Sequence, residues 1–233
     1  MSIDLLQKHI KNINDNYESF ICFDQRKHLQ DLKKSGFEPL IIYDIGAGAL
    51  TWTKYAQKLW PNTLFVVFDA FEPFSQLYEK MKIQHHIGVL SNNDPNNKIV
   101  KFYQNEFFFF ENSYYCDIVC EQVGKFDLGI YSELPTETLD QVVERKEFPW
   151  PDLININVQG AEQDVLEGAQ ECLSKCDHLI VTMCHEKIKW NAPRVYTILP
   201  YICSLGWKCD APFFSDYGGY GDYGFTKNTK ITY

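Results

Sequence analysis

Positive charge and long apolar runs are scarce in this chain. Lysine and arginine number 22 against 31 aspartates and glutamates, so the formal net charge is −9. A protein that binds duplex nucleic acid normally presents a basic face, and this balance therefore argues against a nucleic-acid partner. No apolar run approaches the ~18 residues that a transmembrane helix needs, so we expect no membrane span.

An export signal and a zinc-binding pattern of cysteines are also missing. The first residues have the spacing of an amphipathic helix and lack the apolar core of a signal peptide. Two cysteine pairs, Cys116 with Cys120 and Cys172 with Cys176, are separated by three residues rather than the two typical of zinc sites. On a helix, this spacing favours core packing. We therefore expect free thiols, a cytoplasmic protein and no bound metal.

No internal repeat and no flexible linker divides the chain, so its 233 residues fit one domain of generous size. Hydrophobic residues at 45% and charged residues at 23% are sufficient for a full core and do not indicate disorder. We expect a single domain over residues 1–233, with an N-terminal helical cap at 1–38 and an α/β core at 39–233.

The strongest local pattern is a strand, a glycine turn and a helix. An apolar run reaches Asp44 and breaks at Gly46-Ala47-Gly48 before apolar residues recur at helical spacing. A dinucleotide fingerprint requires a third glycine where this chain has Thr51. The pattern therefore favours S-adenosylmethionine, which has no phosphate and carries a positive sulfonium; a simple connecting turn is the alternative. Asp44, Gly46, Ala47 and Gly48 are the expected cofactor contacts, and Gly46→Val should abolish binding with the fold largely intact.

Polar residues at the ends of two further predicted strands suit the rest of this cofactor. An acid roughly 20 residues after the glycines is where a cofactor ribose presents its hydroxyls. Asp69 and Glu72 both stand there, and either could be the ribose carboxylate. A third strand is expected over residues 83–90, and Ser91 and Asn92 after it are expected to contact the adenine.

Two segments later in the chain concern the substrate and the sheet. The aromatic run Phe107–Phe110 precedes a polar turn at Asn112 and Ser113. The aromatic side chains are expected either to plug the core or to form a wall of the substrate site, whereas Asn112 and Ser113 are expected to contact the substrate. The tail after residue 216 is expected to form a loop and a strand that joins the sheet antiparallel.

Four segments resemble the FkbM-type methyltransferases, and the resemblance covers about residues 38–185. They are Asp44-Ile45-Gly46-Ala47-Gly48, Phe71-Glu72-Pro73, Thr138-Leu139-Asp140 and Asp152-Leu153-Ile154-Asn155-Ile156-Asn157-Val158-Gln159-Gly160-Ala161-Glu162. The resemblance implies an α/β, Rossmann-like class I methyltransferase fold, with a mostly parallel central sheet, an antiparallel C-terminal strand and helices on both faces. It also implies S-adenosyl-L-methionine as the cofactor and O-methylation of a hydroxyl on a sugar, a glycan or a related small molecule.

Three positions depart from the family pattern. The family typically has lysine, aspartate and glutamate where this chain has Asn155, Asn157 and Thr182. The resemblance places Asn157 at a strand tip that faces the transferred methyl group, and an amide there cannot act as a general base. The neighbouring Gln159 is expected to contact the substrate.

Removal of a proton from a hydroxyl acceptor therefore requires another residue. The candidates are His185, at the tip of the following strand, and Asp140, in the first turn of a helix that Thr138 can cap. The alternative is a catalytically weakened module that binds the cofactor and regulates a partner. An NAD-dependent oxidoreductase is a second alternative, which the missing third glycine disfavours.

Overall fold

A seven-stranded sheet organises the fold of this computed structural model. The residues that the structure describes are 18, 21, 23–94, 98–104, 113, 130–186, 191–217 and 219–227. The described helices are α1 (Phe23–Lys34), α2 (Thr51–Leu59), α3 (Ser75–Met81), α4 (Leu139–Lys146), α5 (Glu162–Glu167), α6 (Gln170–Lys175) and α7 (Val195–Ser204), with a 3-10 helix at Glu72–Phe74. The described strands are β1 (Ile41–Ile45), β2 (Leu64–Asp69), β3 (Gln84–Ile87), β4 (Val89–Leu90), β5 (Ile99–Gln104), β6 (Ile130–Glu137), β7 (Leu153–Ile156), β8 (His178–Cys184), β9 (Trp207–Tyr217) and β10 (Tyr220–Lys227).

The strand order in the main sheet is β3-β2-β1-β7-β8-β10-β9. The first five of these strands pair in parallel. Strand β10, by contrast, runs antiparallel to both of its neighbours, β8 and β9. The expected mostly parallel sheet with an antiparallel C-terminal strand is therefore confirmed.

Helices cover both faces of the sheet, as the resemblance implies. On one face, Ile42, Leu153 and Ile180 share a core with residues of α1 and α2. On the other face, Tyr43 and Ile154 share a core with residues of α4, α5, α6 and α7. Successive residues of a strand point to opposite faces, which is why neighbours in β1 enter different cores. Burial on both faces also explains the continuous apolar runs of the parallel strands.

The expected third strand, residues 83–90, is two strands in the structure. Strand β3 pairs with β2 in the main sheet, whereas β4 pairs with β6 in a second sheet of order β4-β6-β5. The change occurs at Gly88, whose N–H donates to the Asp69 carbonyl at 2.9 Å. A β-carbon on Gly88 would lie 2.5 Å from Nε2 of His86, so a side chain there would have to displace the imidazole.

Helix α4 begins at the predicted cap. Oγ1 of Thr138 accepts a hydrogen bond from the Gln141 N–H at 3.1 Å, and the Gln141 side chain accepts one from the Thr138 N–H at 3.2 Å. This reciprocal pair is a capping box, which satisfies two amides that the first helical turn leaves without partners.

The strand order reverses at β1, which has β2 on one side and β7 on the other. In open parallel sheets, ligands bind outside the carboxyl ends of the strands at such a point. The glycine turn after β1 and the tips of β2 and β7 therefore meet where this fold places its ligand.

The sequence predicts free thiols, no bound metal and no membrane span. Cys172 and Cys176 are buried free thiols, and burial raises the pKa of each. Cys116 and Cys120 lie outside the described residues. Within the described part of the chain, no three potential metal ligands cluster together. No described helix has the length and apolar character required to cross a bilayer.

Candidate cofactor and active site

The backbone amides of the glycine turn point at the tip of β2. The N–H groups of Gly46 and Ala47 both donate to the Phe68 carbonyl, at 2.8 and 3.2 Å. The Gly48 N–H donates to Oδ2 of Asp69 at 2.8 Å. Anion sites at helix N-termini use free amides of this kind to hold a phosphate. Because all three amides are engaged within the protein, the turn is suited to a ligand without a phosphate at this position.

Gly46 is required by the packing of the protein itself. Its φ is +80°, and a β-carbon on it would collide with the backbone carbonyl of Asn157. The expectation that Gly46→Val leaves the fold largely intact is therefore wrong, because the larger side chain would push β1 and β7 apart. Gly48 differs, since a β-carbon there would meet no atom within 4 Å.

A cavity of about 250 Å³ lies beside the glycine turn at the carboxyl edge of the sheet. This volume is close to the lower end of small-molecule sites, roughly 300–1,000 Å³. Its apolar wall includes Phe68, Phe74, Val89, Leu90 and Phe102. Its polar side chains are Thr51, Asp69, Ser113, Asn157 and Gln159, and Gly46, Ala47 and Gly48 also line it. The structure thus brings together seven of the predicted site residues: Gly46, Ala47, Gly48, Asp69, Ser113, Asn157 and Gln159.

Of the two candidate ribose acids, Asp69 is the one in the cavity wall. Its carboxylate accepts hydrogen bonds from the N–H groups of Gly48 and Phe71, both at 2.8 Å. Burial raises its pKa to about 6, although these backbone hydrogen bonds oppose the shift. Each oxygen retains acceptor capacity for a ligand hydroxyl. Glu72 is exposed and accepts a hydrogen bond from the Ser75 hydroxyl at 3.2 Å.

Asp44 lies behind the glycine turn and outside the cavity wall, in contrast to its predicted role as a cofactor contact. It is 1% exposed, and its oxygens accept hydrogen bonds from the Thr53 hydroxyl at 2.5 Å and from Nδ2 of Asn155 at 2.9 Å. Burial raises its pKa to about 6, and these hydrogen bonds oppose the rise. The geometry gives Asp44 a role in joining β1 to α2 and β7.

Ser91 and Asn92 also lie outside the cavity wall. The Asn92 side chain donates to carboxylates of Asp164 at 3.1 Å and Glu167 at 2.9 Å, which ties this loop to α5. The three residues that precede Ser91, residues 88–90, line the cavity instead. The pairing of β4 with β6 causes this difference, because it turns the chain away from the main sheet before Ser91.

The loop after β7 presents a linked pair of amide side chains to the cavity. Nε2 of Gln159 donates to Oδ1 of Asn157 at 2.7 Å, and Gln159 has a left-handed φ of 57°. Glu162 holds this loop: its fully buried carboxylate accepts hydrogen bonds from the N–H groups of Val158 at 3.2 Å and Gly160 at 3.0 Å. A charged acceptor with two backbone donors is a strong local constraint.

Ser113 is buried in the cavity wall, where the sequence predicts a substrate contact. It forms a β-bridge with Tyr103, with N–H to carbonyl distances of 2.7 and 3.2 Å. Asn112 and the aromatic run Phe107–Phe110 lie outside the described residues. Phe102, which also lines the cavity, was not predicted as a site residue, and the alternation of its strand is the signal that could have indicated its inward face.

The two candidate bases occupy different environments. His185 follows the tip of β8, next to β7, and is not among the residues that line the cavity. Its N–H donates to the Gly219 carbonyl at 2.7 Å, and its Nε2 lies 3.0 Å from the Tyr223 hydroxyl. Asp140 lies outside the cavity wall. Its carboxylate accepts hydrogen bonds from the N–H groups of Glu171 and Cys172 in the first turn of α6, at 2.8 and 3.0 Å. It stabilises the start of that helix, and we do not retain it as a base.

The sheet and its cavity define a class I, Rossmann-like methyltransferase fold. A sequence model described as the methyltransferase FkbM domain matches residues 44–209, from the end of β1 into β9. The chain therefore belongs to the FkbM methyltransferase family, and its cofactor is S-adenosylmethionine. The NAD-dependent alternative is not retained. Among curated proteins, no sequence matches this chain.

Solved methyltransferases have similar folds. An FkbM methyltransferase from Methylobacillus flagellatus KT has a TM-score of 0.50 and 11% identity, over 79% of this chain and 42% of its own. A ribosomal protein L11 methylase from Lactobacillus delbrueckii subsp. bulgaricus has a TM-score of 0.45 and 13% identity, over 89% and 80% of the two chains. Human N-acetylserotonin methyltransferase, solved with S-adenosylmethionine, has a TM-score of 0.48 and 12% identity, over 97% and 56%. At these identities the likeness concerns the fold alone.

Proposed function

We propose that this protein is an O-methyltransferase that methylates a hydroxyl of a sugar, a glycan or a related small molecule. The observation that carries the proposal is the cavity at the carboxyl edge of the sheet, with a half-buried acid, Asp69, at the tip of β2 and polar amides at the tip of β7. S-adenosylmethionine, when bound, supplies an electrophilic methyl group on its sulfonium. Much of the rate of such a displacement comes from holding the two reactants in line, which a preformed cavity favours.

The residues on the β2 side of the cavity suit the adenosine part of the cofactor. Asp69 can accept hydrogen bonds from ribose hydroxyls, because a carboxylate has about four acceptor positions and the N–H groups of Gly48 and Phe71 occupy two of them. Phe74, Val89, Leu90 and Phe102 provide apolar surface for a base. We assign these residues to cofactor binding together with the glycine turn.

The residues on the β7 side suit the acceptor. Asn157, Gln159 and Ser113 offer hydrogen-bond donors and acceptors that can orient a hydroxyl. His185 is our candidate general base because it follows the strand adjacent to β7 and because a ring nitrogen of a neutral imidazole can accept a proton. Base assistance to an alcohol is worth roughly 100-fold to 10,000-fold.

The proposal also includes the domain organisation of the protein, its cellular location and the class of its acceptor. We propose one domain over residues 1–233, in which 1–38 form a cap that includes helix α1. We also propose a cytoplasmic location, supported by free thiols at Cys172, Cys176, Cys184, Cys203 and Cys209. The acidic net charge of −9 supports a small-molecule or glycan acceptor over a nucleic acid.

A second candidate function is a catalytically weakened module that binds the cofactor and regulates a partner. It is favoured by the chemistry of the cavity, where Asp69 is the only ionisable side chain among the described lining residues. At the tip of β7, where an acidic residue could act as a general base, this chain has Asn157, whose side-chain amide cannot accept a proton.

The two candidates are separated by measuring S-adenosylhomocysteine formation with a panel of monosaccharides and glycan fragments. The variants are wild type, His185→Gln and Asn157→Asp. The enzyme proposal expects turnover by wild type and a loss of ~100-fold or more in His185→Gln, with cofactor affinity retained. Turnover by Asn157→Asp alone would favour the weakened module. Cofactor binding by all three without any turnover on the panel would contradict the sugar acceptor.

A further inference from the structure

Gly48 is held from both sides by residues of the second strand and the helix after it. Its N–H donates to Oδ2 of Asp69 at 2.8 Å. Its carbonyl accepts a hydrogen bond from the hydroxyl of Tyr78 in α3, also at 2.8 Å. Gly48 and Asp69 line the cavity, whereas Tyr78 lies behind them, completely buried. Tyr78 therefore contacts the cavity wall without forming part of it.

This second hydrogen bond matters because steric packing does not confine Gly48. A β-carbon on Gly46 would collide with the Asn157 backbone, so that end of the turn is fixed by its neighbours. At Gly48 the corresponding space is open, and the residue has a φ of +51°. Glycine is conformationally permissive, so hydrogen bonds to its N–H and carbonyl are the natural means of fixing its position.

The environment of Tyr78 keeps its hydroxyl in place as a donor. Its ring stacks on Phe74 with centroids 6.1 Å apart, and it packs edge-on against His85 at 5.6 Å. Burial, and then the charges of Asp69 and Asp44, raise the pKa of Tyr78 well above its usual value. The raised pKa therefore favours the protonated hydroxyl, which is the form that donates to the Gly48 carbonyl.

We propose that Tyr78 is a positioning residue for cofactor binding, which acts by fixing the Gly48 carbonyl and, through Gly48, the carboxylate of Asp69. The role rests on the proposed cofactor site. Without the hydroxyl, the Gly48 peptide can rotate, its carbonyl can turn towards the ligand, and Asp69 loses a fixed donor. The cavity wall is then no longer preorganised, and binding has to order it.

The test is calorimetric titration of Tyr78→Phe with S-adenosylmethionine, with Tyr43→Phe as the matched control. Tyr43 is also completely buried and donates its hydroxyl to a backbone carbonyl, that of Pro149, at 2.6 Å. Both variants lose one partly buried hydrogen bond, so their melting temperatures should fall by similar amounts. We expect Tyr78→Phe to weaken binding by ~5-fold or more, the equivalent of about one net hydrogen bond, and Tyr43→Phe to stay within roughly 2-fold of wild type.

The remaining outcomes are distinct. Equal affinities of Tyr78→Phe and wild type would overturn the role of Tyr78 and leave the proposed function in place. Equal weakening in both variants would also overturn it, because the effect would then reflect general destabilisation. A wild-type protein that binds no S-adenosylmethionine would overturn the proposed function and this role with it. If Tyr78→Phe does not fold, hydrogen exchange at the Gly48 amide of wild type decides, since exchange at the rate of an unstructured peptide contradicts a fixed turn.

Discussion

The backbone carbonyl of Asn157 occupies the place that a β-carbon on Gly46 would need. The Asn157 N–H donates to the Ile45 carbonyl at 2.9 Å, so this close approach continues the pairing of β1 with β7 beyond the ends of the strands. The glycine thus joins the cofactor turn to the loop that carries the amide pair. The β1 and β7 sides of the cavity are held together at this contact.

Gly46→Ala should therefore lower the free energy of unfolding by about 1–3 kcal/mol from backbone strain, with a further loss from the collision with Asn157. Urea denaturation measures the effect. Gly36→Ala is the matched control, because Gly36 has a φ of +92° and a β-carbon there would meet nothing within 4 Å. Equal losses in the two variants would show that the contact with Asn157 is unimportant.

Asp44→Asn should change how stability depends on pH. The pKa of Asp44 is raised from 3.8 to about 6, so the folded protein binds this proton more tightly than the unfolded chain does. The contribution of Asp44 to the free energy of unfolding is therefore largest below pH ~4. It decreases as the pH rises and is absent well above pH ~6. When the pH is lowered from 7 to 5, the free energy of unfolding of wild type should therefore rise by about 1 kcal/mol more than that of Asp44→Asn.

The measurement is urea denaturation at several pH values, which compares each variant with wild type so that other titrating groups cancel. Glu72→Gln, at an exposed acid, is the control and should follow wild type. If Asp44→Asn follows wild type as well, the carboxylate of Asp44 is not protonated on folding in this range.

Glu162→Gln should destabilise the protein by about 1–3 kcal/mol, because a side-chain NH2 would replace one of the two oxygens that the Gly160 N–H contacts at 3.0 Å, so that two donors would face each other. Glu167→Gln in the same helix is the control. Its partners are the side chains of Asn92 and Gln163, which can reorient. Thermal denaturation measures the melting temperature of both variants. A lower melting temperature for Glu167→Gln than for Glu162→Gln would contradict the role of Glu162 in holding the loop.

Asp69→Ala should weaken S-adenosylmethionine binding by ~5-fold or more, since it removes at least one hydrogen-bond acceptor for the ligand and the partner of the Gly48 N–H. Glu72→Ala should leave the affinity within roughly 2-fold of wild type, because this exposed carboxylate lies outside the cavity wall. Titration calorimetry of the two variants decides between them. A larger loss of affinity in Glu72→Ala than in Asp69→Ala would assign the ribose contact to Glu72.

Much of the fold could be predicted because its signals are local. The apolar runs of β1, β2, β7 and β8, the glycine turn and the Thr138 cap each depend on a few adjacent residues, and the structure places them as expected. The parallel order of the strands and the antiparallel β10 follow from the family resemblance.

The parts of the site that could not be predicted depend on contacts between distant segments. Ser91 and Asn92 lie outside the cavity wall because β4 pairs with β6, whose sequence is far along the chain. Asp44 faces Thr53 and Asn155, a set of partners that no spacing within β1 indicates. The need for glycine at position 46 likewise comes from Asn157 and not from the ligand.

We expect S-adenosylmethionine to bind in the cavity at the carboxyl edge of the sheet. The most direct test of this expectation is calorimetric titration of the wild-type protein with S-adenosylmethionine and S-adenosylhomocysteine, with NAD as the control. We predict saturable binding of both sulfur compounds and no binding of NAD, because the amides of Gly46, Ala47 and Gly48 are engaged and cannot hold a pyrophosphate. Binding of NAD, or of none of the three, would contradict the assignment of this cavity.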